Sequence, residues 1–119
     1  IGQYAAVAAL DHPELCTQML ILFARSRATL LEGLAAIPGM NSNDPTGAFY
    51  VFADIRAFGM SSEDFCNRLL DEERVVCIPG SAFGACGEGF VRIAYTCSDA
   101  DLTEAIARIR RFCAKYYTA

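Results

Sequence analysis

Residues 90–96 read FVRIAYT, and that stretch decides the architecture. Side chains alternate across a strand. Val91, Ile93 and Tyr95 therefore share one face, and Phe90, Arg92 and Ala94 the other. Residues 48–55, AFYVFADI, are aromatic and β-branched and read as an earlier strand; Val75 to Ile78 is a shorter one. Between these two earlier strands, Ser61 caps a helix, with Asp64 three positions on and Phe65, Cys66, Leu69 and Leu70 as its apolar stripe. A strand–helix–strand unit favours a parallel, right-handed crossover. The FVRIAYT strand then inserts between the first two, antiparallel to both. The expected fold is α+β: a three-stranded mixed or antiparallel sheet in order 1-3-2, with helices on one face and a long helix before it.

Upstream, residues 3–10 are rich in Ala and predict a helix, interrupted at Asp11-His12-Pro13. Pro13 suits the first turn of the next helix, where its missing N–H has no partner to lose. Leu15, Met19, Leu22, Phe23, Leu30, Leu34 and Ile37 recur near the helical period up to Pro38-Gly39. Residues 41–47 read as a loop. Downstream, Ser98 caps the last helix, with Leu102, Ile106, Ile109, Phe112 and Tyr116 on its apolar face and Glu104, Arg108, Arg111 and Lys115 on the wet one.

With 54% hydrophobic residues in 119, the chain can bury a core and is not a disordered tail. A net charge of −4 argues against a nucleic-acid partner held by bulk electrostatics. No apolar run approaches the ~18 residues a membrane span needs. The opening IGQYAAVAAL starts with Ile1, lacks a basic stretch, and reads as neither a signal peptide nor a natural start. The expectation is a piece of a longer chain with some apolar surface facing that remainder.

Cys16, Cys66, Cys77, Cys86, Cys97 and Cys113 have no CxxC spacing and sit among apolar neighbours. They read as reduced, small hydrophobes rather than a disulfide framework, which fits a cytoplasmic location. The lone His12 lies far from them in sequence, so no metal site is expected. The loop PGSAFGACGEG over 79–89 matches neither a dinucleotide fingerprint nor a P-loop, because spacing and lysine are both wrong. It is a hairpin connection or a pocket-lining loop.

Arg92 is the unusual residue. It stands mid-strand on the face away from the helices, between apolar neighbours. Arginine is rarely buried unpaired. Its planar fork matches a carboxylate or phosphate through two parallel hydrogen bonds. An internal ion pair with Asp54, a solvated position and a ligand clamp all remain open from residue type alone.

The series PTGAFYVFADI, VVCIPGSAFG and GEGFVRIAY resembles the C-terminal small domain of fold type I pyridoxal-phosphate aminotransferases, the aspartate aminotransferase class (class I/II). QYAAVAAL, and the helix carrying Arg25 and Arg27, are similar to the segment leaving that family's large domain. The resemblance implies a helix remnant over 1–11 that links to a missing N-terminal large domain, and the small domain itself over 12–119. It implies that Arg92 grips the α-carboxylate of an amino-acid substrate, with Phe49, Tyr50, Ser81 and Phe83 lining the pocket mouth. Activity would be amino transfer between an α-amino acid and a 2-oxo acid, in a homodimeric parent using pyridoxal 5'-phosphate. A related carbon–sulfur lyase or aminocyclopropane carboxylate synthase, or a non-catalytic amino-acid-binding or dimerising module, are the alternatives. The Schiff-base lysine, the Asp facing the pyridine nitrogen and the phosphate-holding groups are expected before Ile1. Lys115, the only lysine, fits no such motif. No catalytic residue and no covalently bound cofactor are therefore expected within these residues.

Overall fold

The computed structural model describes residues 1–117. The domain expected over 12–119 thus has its last two positions outside the described residues. Four α-helices, α1 (Gly2–Asp11), α2 (Thr17–Ala35), α3 (Ser62–Glu73) and α4 (Asp99–Tyr116), accompany four strands, β1 (Asn41–Ser42), β2 (Tyr50–Asp54), β3 (Ile78–Pro79) and β4 (Phe90–Ala94). No helix is long and apolar enough to cross a membrane among the described residues.

The class is α+β, and the three expected strands keep their 1-3-2 order as β2-β4-β3; the sheet differs in carrying a fourth strand, β1, on the β2 edge, with every pairing antiparallel. The added strand lies in the segment read as a loop. Asn41 and Ser42 pair with Asp54 and Ala53. Asn43 extends the seam: its Oδ1 accepts the Phe52 N–H at 2.8 Å, and its own N–H reaches the Phe52 carbonyl at 3.3 Å. Those bonds satisfy backbone groups on the edge of β2 that would otherwise be unpaired. The strand expected over residues 75–78 is displaced to Ile78–Pro79, because α3 runs to Glu73 and Arg74 turns the chain at φ 58°.

Alternation in β2 and β4 builds the core. Val51, Ala53, Val91 and Ile93 are buried under the helices with Leu30, Leu34, Phe65, Leu69, Leu102, Ile109 and Phe112. Phe112 meets Phe65 edge-on at 5.1 Å. Both serine caps form: Ser61 Oγ accepts the Asp64 N–H, and Ser98 Oγ the Asp101 N–H, each at 3.1 Å. A cap of this kind contributes about 1 kcal/mol. Ser62, fully buried, ties the start of α3 to the entry of β4. Its Oγ accepts the Gly89 N–H at 2.9 Å, and its own N–H donates to Glu88 Oε1 at 2.8 Å.

Two expectations fail on burial. The long helix begins as a 3-10 turn over Pro13–Cys16, and only the later part of its periodic stripe is covered. Leu15, Met19 and Leu22 are exposed, as is every residue of α1. Periodicity shows which residues share a face, not whether anything packs on it. Likewise Cys16, Cys86 and Cys97 are exposed, while Cys66, Cys77 and Cys113 are buried.

Candidate functional site

The outer face of the sheet carries Tyr50, Phe52 and Asp54 from β2 beside Ala94, Arg92 and Phe90 from β4, in direct register. Arg92 is at the centre, opposite Phe52 on one side and Ile78 on the other. Its guanidinium carbon lies 5.0 Å from the Tyr50 ring centroid and 4.9 Å from that of Phe83. Phe83 stands on a 3-10 turn over Gly80–Phe83 that folds back over this face, and it meets Phe52 edge-on at 5.6 Å.

Gly80 and Gly87 make that fold-back feasible. Their backbones cross so closely that a Cβ on Gly80 would sit 2.1 Å from the Gly87 carbonyl oxygen, and one on Gly87 2.0 Å from that of Gly80. Only glycine fits at such an approach.

Arg92 has no ion-pair partner among the described residues, and its Nε is buried without any hydrogen-bond acceptor. The Asp54 pairing that the sequence left open does not occur. Asp54 is taken by Arg56, whose Nε donates to Oδ1 at 2.9 Å. That side-chain hydrogen bond holds the Asp54 carboxyl below the usual carboxylate range. An orphaned, buried charged donor costs about 1–3 kcal/mol, so Arg92 is a cation in want of an acceptor.

Of the remaining candidates, Tyr50 and Phe83 sit on the guanidinium. Phe49 leans the other way, 6.3 Å from Phe23 on α2, and touches the Tyr50 ring edge-on at 5.6 Å. Ser81 is exposed on the turn, and no hydrogen bond links it to Arg92. Sequence reasoning missed Tyr95 as a structural anchor. Its hydroxyl donates to the Ala48 carbonyl at 3.1 Å, and its N–H donates to the Phe49 carbonyl at 3.0 Å. It named Arg27 only as part of a helix and missed its anchoring contacts: its Nε donates to the Pro45 carbonyl at 2.8 Å and its fork pairs with Asp44. These contacts fix the approach to Tyr50. Local sequence signals neither, because the partners are 47 and 18 positions apart.

The sequence model of the family described as "Aminotransferase class I and II" matches residues 1–109. This chain belongs to that family. A putative aminotransferase, YugH, of Bacillus subtilis is 41% identical over 113 residues, covering 94% of this chain and 29% of its own length. An aspartate aminotransferase of Pyrococcus horikoshii is 49% identical over 85 residues, covering 71% of this chain and 22% of its own. The crystal structure of an aromatic aminotransferase from Pyrococcus horikoshii superposes with a TM-score of 0.87 at 38% identity, over 95% of this chain and 31% of that one. The chain thus spans less than a third of the length of these aminotransferases.

Class I and II aminotransferases imply pyridoxal phosphate, a cofactor held as a Schiff base to a lysine. Lys115 is the only lysine in the sequence. Its Nζ is bonded to Glu72 at 3.1 Å and to Glu73 at 3.2 Å, where α4 meets α3. The Glu72 hydrogen bond foremost, then that of Glu73, raises its pKa and keeps the amine protonated. A protonated amine is not a nucleophile. The helices cover the sheet face opposite Arg92, so Lys115 and the arginine lie on different sides. The described residues do not fit a covalently held cofactor.

Proposed function

We propose that this chain is the C-terminal, substrate-binding small domain of a pyridoxal-phosphate aminotransferase, and that Arg92 clamps the α-carboxylate of the amino-acid or 2-oxo-acid substrate. The observation that carries the reading is the guanidinium without an ion-pair partner among the described residues: a cation on the open face of the sheet, flanked by rings, with a buried Nε for which none of those residues supplies an acceptor. A carboxylate supplies the missing acceptors in the fork geometry that arginine favours. The names of the relatives favour amino transfer over the carbon–sulfur lyase and the non-catalytic module.

In this reading the Schiff-base lysine and the groups that hold the cofactor come from a large domain outside these residues. The exposed large apolar side chains of α1 and of early α2, Tyr4, Val7, Leu10, Leu20 and Ile21, support such a covering partner, since so much apolar surface on neighbouring segments favours an interaction surface. A homodimeric, cytoplasmic parent belongs to the same proposal.

Calorimetric titration of the full-length enzyme with a 2-oxo acid tests the clamp. Arg92→Lys is expected to weaken binding by roughly ten- to a hundredfold, since a charged hydrogen bond contributes about 1.5–3 kcal/mol. Unchanged affinity would contradict the proposal.

A further inference from the structure

We infer that Phe83 and Tyr50 are positioning residues for Arg92: their rings hold the guanidinium plane between them and leave its N–H edge open to a carboxylate. The inference rests on the reading of Arg92 as the clamp. It adds how the clamp is kept in shape when no substrate is bound.

An arginine carries a long, freely rotating stem and loses much rotamer freedom when fixed. Arg92 has no ion pair and no acceptor for its Nε among the described residues, so no polar contact among them selects its conformation. What does touch it are two aromatic faces, at 4.9 Å for Phe83 and 5.0 Å for Tyr50. Both lie within the ~6 Å over which a ring face attracts a cation.

Each ring is itself fixed by another. Phe83 meets Phe52 edge-on at 69°, and Phe52 is the residue directly across the ladder from Arg92. Tyr50 meets Phe49 edge-on at 86°. The turn that brings Phe83 over the sheet is held by the Gly80–Gly87 crossing, where neither residue tolerates a Cβ. A β4 arginine, a β2 tyrosine and a turn phenylalanine, remote in sequence, therefore converge on one group. A ring over the face of a guanidinium does not compete for its in-plane N–H groups, and those are the groups a carboxylate takes. Fixing the fork beforehand removes an ordering cost from substrate binding.

The test uses Phe83→Leu, Phe83→Tyr and Arg92→Lys in the full-length enzyme. Phe83 is 50% exposed, so the leucine variant keeps the core intact. Phe83→Leu is expected to raise the KM for the amino-acid substrate about three- to tenfold with kcat nearly unchanged, and Phe83→Tyr to restore it. In the 119-residue chain, the Arg92 Nε–H proton resonance is expected to move downfield in Phe83→Leu as the shielding ring face is lost, and to stay put in Phe83→Tyr. An unshifted resonance and an unchanged KM in Phe83→Leu, with a raised KM in Arg92→Lys, overturn the positioning role and leave the clamp standing. An unchanged KM in Arg92→Lys overturns the clamp itself, and the positioning role with it.

Discussion

The hydroxyl of Tyr95 donates to the carbonyl of Ala48 at 3.1 Å, and Ala48 holds a φ of 60°. A non-glycine residue in that region costs on the order of 1–3 kcal/mol and persists only when its surroundings enforce it. Tyr95, 2% exposed, enforces it from the core side of the strand that carries Arg92 on its outer side. Tyr95→Phe is expected to lose about 0.5–1.5 kcal/mol in denaturant unfolding. Ala48→Gly in that background is expected to recover part of the loss, because glycine takes the turn without strain. A Tyr95→Phe variant as stable as the parent would show that the hydrogen bond does not hold the turn.

Glu73, nearly buried at the end of α3, accepts from Arg111 Nη2 at 3.0 Å and from Lys115 at 3.2 Å. Burial alone pushes its carboxyl up, but the bonds from Lys115 and Arg111 outweigh it, and the net pKa lies below 4.5. Glu72, held by Tyr116 and Lys115, is likewise lowered. A carboxylate with a depressed folded pKa contributes stability that is complete above its unfolded value and is lost as pH falls through the folded one. Melting temperature should therefore decline as pH drops from about 4.5, and decline less steeply in Glu73→Gln. At the alkaline end the raised pKa of Lys115 has the opposite sign: its contribution is present below 10.5 and fades above it. A Glu73→Gln variant with the same acid slope as the parent would rule the network out as its source.

Much of this arrangement was legible in local sequence. The period-two alternation of FVRIAYT put Arg92 on the open face, and Ser61 and Ser98 marked their helix starts three residues ahead of an aspartate. Other features were not. A two-residue edge strand at Asn41–Ser42 has no periodicity of its own; it forms because Asn43 and the open edge of β2 complete each other. The choice between Asp54 and a ligand as the partner of Arg92 turned on Arg56, which is nearer to Asp54 along the chain and captures it first. The stripe from Leu15 to Leu22 looked like core because helical spacing cannot report what lies outside the chain.

Thiol reactivity should separate the six cysteines into three groups. The hydrogen bond that the Cys77 thiol donates to Cys66 Sγ, at 3.3 Å between sulfurs, and burial push the Cys77 thiol up, and burial alone pushes Cys113 up to about 12. Thiolate is the reacting form. Iodoacetamide at pH near 8 should label Cys16 and Cys86 readily. Cys97 should follow more slowly, its thiol raised by partial burial and by Asp101 and Asp99. Cys77 and Cys113 should react only in denaturant, and so should Cys66, whose thiol the Cys77 bond lowers but whose sulfur is buried. Native labelling of Cys77 or Cys113 by mass spectrometry would contradict the packing described.

Mixing the 119-residue chain with pyridoxal phosphate at neutral pH and reducing with borohydride should leave Lys115 without stoichiometric label. The amine is protonated and occupied by Glu72 and Glu73. Glu72→Gln combined with Glu73→Gln frees it and should increase nonspecific labelling. Stoichiometric modification of Lys115 in the parent chain would refute the absence of a covalent cofactor site in these residues.

The carboxylate clamp is tested most directly by Arg92→Lys in the full-length enzyme, with catalytic efficiency and melting temperature measured on the same preparation. Lysine keeps the charge and most of the aliphatic stem but offers a point charge in place of a fork. The expected result is a fall in kcat/KM of roughly ten- to a hundredfold or more, at ~1.4 kcal/mol per factor of ten, with little change in melting temperature. A lowered melting temperature with wild-type kcat/KM would contradict the clamp and make Arg92 a structural residue of the sheet.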